Sequence, residues 1–70
     1  MPKFYLNDNA QNTGEHEIHE EGCPWLKFVT SKTDLGYCYD CHEALRKAKN
    51  LYPSRDIDGC KHCCLKCHTK

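Results

Sequence analysis

Two C-x-x-C turns abut near the end of the chain, in Gly59-Cys60-Lys61-His62-Cys63-Cys64-Leu65-Lys66-Cys67-His68. Cys60 and Cys63 form the first, Cys64 and Cys67 the second. A turn of this kind brings two sulfurs close enough to grip one tetrahedral metal ion. The segment is too polar to bury both turns in a core and too short for a long helix. It reads as a metal-binding knuckle onto which upstream ligands fold.

Chain length sharpens that reading. Seventy residues make one domain, 1–70. Hydrophobic residues are 39% of them, and a core of this size rarely supplies more than about 3–5 kcal/mol. Small domains make up the deficit with disulfides or a metal, and structural zinc contributes on the order of 10–16 kcal/mol of apparent binding energy. With seven cysteines, one of those two devices is expected. Met1 to Asp8 contains no apolar run of signal-peptide length, and nothing approaches a membrane span. A cytoplasmic location follows as the expectation. Thiols stay reduced there, and cysteine clusters there hold metal. The odd cysteine count agrees, because seven cannot all pair within one chain.

Net charge is zero, unevenly spread. Residues 1–23 set Lys3 against Asp8, Glu15, Glu17, Glu20 and Glu21, and the surplus of cations lies in residues 24–70. A neutral whole argues only weakly for a nucleic-acid partner, and no membrane partner or small-molecule substrate is evident.

The expected fold is α+β: about three short antiparallel strands, one helix over 41–52 and the cysteine-rich knuckle. Lys3 to Leu6 suits a first strand, and the alternating Glu15-His16-Glu17-Ile18-His19 a second one returning along it. The Asn/Asp/Gly-rich stretch between them is a loop. His16 shares a face with Ile18 and reads as a core-edge histidine. Glu15, Glu17, Glu20 and Glu21 read as a solvated acidic edge. Trp25 and Leu26 are expected in the core, Trp25 as its main packing residue. Ser31 to Thr33 reads as loop and Leu35 to Tyr39 as the third strand. Asp40 caps the helix, Glu43 completes a capping box, and Cys41, Ala44, Leu45, Ala48, Leu51 and Tyr52 make one apolar stripe. Pro53 stops the helix, and Ser54 to Asp58 is a linker.

Zinc takes four sulfur or imidazole ligands, and the sequence offers more than four. One set is His19, Cys23, Cys60 and Cys63. Another is Cys38, Cys41, Cys60 and Cys63, whose two C-x-x-C pairs have double-knuckle spacing. Against the second set, Cys41 lies on the apolar stripe, where burial explains it without metal. One zinc ion is expected. Cys64, Cys67 and His68, with a spare upstream pair, leave room for a second.

The layout His19-Glu20-Glu21-Gly22-Cys23-Pro24-Trp25-Leu26, a strand, the helix Cys41-His42-Glu43-Ala44-Leu45 and then Gly59-Cys60-Lys61-His62-Cys63 resembles the small zinc-binding domain of the Ada DNA-methylation repair family. The whole chain also resembles a group of short bacterial proteins ending in GC-x-x-CC-x-x-CH. The first resemblance covers roughly residues 16–64 and implies His19, Cys23, Cys60 and Cys63 as ligands of one zinc. In that family the first cysteine of the motif accepts the methyl group. Here His19 stands at that place, so repair activity is not implied.

Two functions follow as expectations. The first is a structural zinc module that binds a macromolecule, protein or nucleic acid. The second is a thiol redox sensor or metal carrier using Cys60 to Cys67, with Cys41 reactive at a helix N-terminus. An enzyme is disfavoured, because the neighbours Cys41 and His42 point apart on a helix and a chain this short has little room for a cleft.

Overall fold

A computed structural model describes residues 1–70. Four strands form one sheet in the order β3-β1-β2-β4, with β1 at Lys3–Asn7, β2 at Glu15–Glu20, β3 at Lys32–Tyr37 and β4 at Asp56–Gly59. One helix, α1, spans Cys41–Leu51. No helix is long and apolar enough to cross a membrane.

The β1–β2 hairpin pairs antiparallel with Leu6 opposite Ile18. Paired residues share a face, so Leu6 and Ile18 meet on the side that α1 covers. Phe4, Leu6, Ile18, Leu35, Ile57, Ala44 and Ala48 join there in one core. Five of its twelve buried members are cysteines, so the sulfur-bearing segments are part of the core. The helix begins where the sequence places it: Asp40 accepts from the Glu43 N–H at 3.0 Å. Glu43 reaches back to the Tyr39 N–H at 2.7 Å.

Four differences from the sequence reading stand out. The third strand begins earlier, because Ser31 donates to Asp8 at 3.0 Å and Thr33 at 2.6 Å, drawing this stretch along β1. Its register shifts between Phe4 and Tyr5, leaving Leu35 as the extra residue, turned into the core. The stretch read as a linker forms β4, so there are four strands and the sheet is mixed: β4 runs parallel to β2, Ile57 beside His16 and Gly59 beside Ile18. Trp25 remains 44% exposed and so is not the main packing residue. The supposed acidic edge is partly inside: Glu15 is buried and accepts from the Thr13 hydroxyl at 2.6 Å.

Candidate metal centre

The parallel pairing of β2 with β4 sets the site. Their ladder ends with the Cys60 N–H donating to the Ile18 carbonyl at 3.0 Å. That brings His19 and Cys60 side by side as both strands end. By strand alternation His19 and Glu17 lie on the face opposite Ile18, away from α1. Two tight turns then return the other sulfurs. After β2 the chain reverses through Gly22, at φ +93°, a left-handed angle that glycine adopts without penalty. The Cys23 N–H closes this turn on the Glu20 carbonyl at 3.0 Å, and Pro24 starts a short 3-10 helix, Pro24–Phe28. After β4, the Cys64 N–H closes the first C-x-x-C turn on the Cys60 carbonyl at 2.8 Å.

The four donor atoms of His19, Cys23, Cys60 and Cys63 lie within 4.8 Å of one another. Cys23 and Cys60 Sγ are 4.0 Å apart, and Cys63 Sγ is 3.9 Å from His19 Nδ1. A tetrahedral ion with sulfur at about 2.3 Å and nitrogen at about 2.0–2.1 Å needs S–S edges of about 3.8 Å and S–N edges of about 3.6 Å. These two pairs stand a few tenths of an ångström from that geometry, and every pair lies within about 1 Å of it. Backbone groups already point at the sulfurs: the His62 N–H at Cys60 Sγ, 3.4 Å, and the Glu20 N–H at Cys63 Sγ, 3.3 Å. Such donors stabilise bound thiolate.

Without a cation the electrostatics keep these thiols neutral. Burial pushes the Cys23 thiol up and the Cys60 thiol up to about 12. The neighbouring Cys64 thiol, and then burial, raise Cys63. Three adjacent thiols cannot all ionise in a dry pocket unaided, and a divalent ion inverts that balance. His19, 3% exposed, is held below the ordinary histidine range by burial, which favours the neutral imidazole a metal needs. The group of donors, three sulfurs and one nitrogen, thus fits a metal ion.

Around the cluster, Trp25 stacks on His62 with ring centroids 4.8 Å apart. Both line a pocket of about 400 Å³ with Phe28, Glu17, Lys61 and the cluster's own His19 and Cys60. Glu17 Oε1 lies 3.8 Å from His19 Nε2, while Nδ1 faces Cys63 Sγ. Burial raises the Glu17 carboxyl, and the nearby Asp58 and Glu15 add to the effect while His68 opposes it.

The remaining sequence candidates lie elsewhere. Cys38 is buried under α1, with its sulfur 3.9 Å from the Leu35 carbonyl and from Lys47 Nζ. It joins neither cluster, so the set Cys38, Cys41, Cys60 and Cys63 is not assembled. Cys64 is buried with its sulfur 3.8 Å from Cys63 Sγ. His68 turns to the Gly59 carbonyl at 3.0 Å and to Asp58 at 3.2 Å. Cys41 and Cys67 are joined as a disulfide, Cα atoms 6.4 Å apart. Beside them stands His42, with Nδ1 3.5 Å from Cys67 Sγ. Cys41 and His42, expected to point apart as helix neighbours, instead have donor atoms within 4.8 Å of each other. The tail lays Cys67 over the first turn, against both. The sequence marks His42 only by its place beside Cys41, because its sulfur partner Cys67 comes from the far end of the chain.

Asp58 anchors that tail. It accepts from the Thr69 N–H at 2.8 Å, the Thr69 hydroxyl at 3.0 Å and the Lys70 N–H at 3.2 Å. Burial alone would raise its carboxyl, but these donors outweigh it and hold it below the usual range. No protein-family model, curated protein or solved structure matches this chain.

Proposed function

We propose that the chain is a structural zinc module, with one ion held by His19, Cys23, Cys60 and Cys63, that presents its surface to a macromolecular partner. One observation carries this reading: four donors from both strand ends and both following turns lie within 4.8 Å of one another, largely buried. Zinc is the ion that favours tetrahedral sulfur and imidazole ligands. With four protein ligands such a site is closed, and the ion acts by fastening the β2 turn to the β4 turn. The resemblance to the Ada-type zinc domain rests on the same four residues. Methyl transfer is not part of the proposal, because His19 holds the acceptor position, and no enzymatic role is assigned.

The test is native mass spectrometry of reduced protein purified without added metal, followed by far-ultraviolet circular dichroism with and without a strong chelator. Bound zinc whose removal unfolds the chain is the expected result. A chain that stays folded and binds no zinc refutes it. For the partner, a mobility-shift assay with DNA and RNA at two salt concentrations separates the alternatives, because phosphate contacts weaken as salt rises. Absence of binding at low salt leaves a protein partner.

A second reading, a thiol redox sensor or metal carrier, is favoured by the Cys63–Cys64 sulfur contact of 3.8 Å and the Cys41–Cys67 pair. Alkylation of the zinc-loaded protein tests it. If every thiol is protected until a chelator is added, this reading fails.

A further inference from the structure

We propose that Cys41, His42 and Cys67 form a second metal site, open only while Cys41 and Cys67 are dithiol. Their donor atoms lie within 4.8 Å of one another. The imidazole nitrogen Nδ1 of His42 stands 3.5 Å from Cys67 Sγ. The two sulfurs are within bonding reach, and a small separation of the same pair would admit an ion between them. The site lies at the first turn of α1, where Cys41 is half-buried, His42 exposed and Cys67 buried. Its residues are distinct from the four of the first centre.

The chemistry differs from that of the first centre. Two thiolates and one imidazole suit zinc or another soft divalent ion but leave a fourth position, and three protein ligands with one open place mark an exchangeable site. The exposed His42 edge directs that position to solvent. Binding releases one proton from each thiol. Oxidation by a low-molecular-weight disulfide such as oxidised glutathione closes the site. The two metal-bound thiolates form the protein disulfide, the oxidant takes up two electrons and two protons to become two thiols, and the divalent ion leaves. A disulfide sulfur is no thiolate, so disulfide and ion exclude each other. The first centre keeps its ion throughout, because none of its residues takes part.

The test is zinc titration of the full chain, reduced with a phosphine, followed by native mass spectrometry. Two zinc ions are expected. Treatment with oxidised glutathione should lower the protein mass by two hydrogens and leave one ion. His42→Ala removes an exposed side chain, so the fold survives. It should weaken the second ion by more than the roughly 10–100-fold that loss of an outer-shell partner costs and leave the first unchanged. A single ion in the reduced protein that survives oxidation overturns the proposal, as does a second ion retained with unchanged affinity by His42→Ala or kept by the oxidised chain. Failure of the first centre reads differently: the ion that should survive oxidation would be the one missing.

Discussion

Gly59→Ala tests how tightly the tail is seated. Gly59 ends β4, and a Cβ there would meet the Cys64 carbonyl oxygen at 2.7 Å, Cys67 Cβ at 2.7 Å and the Cys67 carbonyl carbon at 2.9 Å. All three atoms belong to backbone or its first side-chain carbon, so no flexible side-chain end can move aside. Overpacking of this kind costs typically about 1–3 kcal/mol, occasionally more, and three rigid clashes place this case at about 3 kcal/mol. In a domain of this size each kcal/mol lowers Tm by about 4–8 °C, so a fall of more than about 10 °C is expected. Gly14→Ala is the control. Gly14 has φ +98° and open space around it, so it carries only the left-handed backbone penalty of about 1–2 kcal/mol. Thermal and urea unfolding of both variants, at one fixed free zinc concentration, give the comparison. If Gly59→Ala costs no more than Gly14→Ala, the tail does not pack on β4, and the placement of Cys67 beside His42 falls with it.

Three further outcomes are expected. Cys60→Ser should abolish tight metal binding and leave a chain that chelator no longer destabilises, as calorimetry and circular dichroism will show, because most of the folding energy of such a domain comes from the ion. Asp40→Ala removes the cap bond to the Glu43 N–H and should cost about 1 kcal/mol in urea unfolding; no loss would mean that the Glu43–Tyr39 contact caps the helix alone. Asp8 is held below the ordinary carboxylate range first by the Thr33 hydroxyl and also by Ser31 and Arg55, against burial. Its contribution, about 1 kcal/mol for a partly exposed group, is present above the unfolded carboxylate range and is lost as pH falls through the lower folded value. The stability gap between wild type and Asp8→Asn should therefore be constant from pH 7 to about 5 and close below about 4; a gap that widens in acid would contradict it.

Local signals were legible in the sequence. The alternation in β2, the cap at Asp40 and the C-x-x-C turn each depend on residues a few positions apart, and each lies where the sequence places it. The fourth strand was not legible. Asp56-Ile57-Asp58-Gly59 has one apolar residue, and the aspartates and glycine are poor strand formers. It becomes a strand because β2 offers a free edge and because Asp58 is satisfied by Thr69 and Lys70 from the tail. The tail explains the other misses as well. It seats Cys67 over the start of α1, so His42 gains a sulfur neighbour that no helical spacing foretells. Its place as the only tryptophan puts Trp25 in the core on composition alone. It instead leans on His62 at the rim of the pocket, where a half-exposed ring still loses apolar area to water exclusion. Which of the nine candidate cysteines and histidines come together could not follow from spacing, since it depends on the parallel register of β4 against β2.

The most direct measurement is zinc X-ray absorption on the protein loaded with one equivalent of zinc, together with a His19→Ala variant. Three sulfurs at about 2.3 Å and one nitrogen at about 2.0–2.1 Å are expected, with the nitrogen shell lost or replaced by oxygen in the variant. Four sulfurs, or a spectrum unchanged by His19→Ala, would contradict the centre built from His19, Cys23, Cys60 and Cys63.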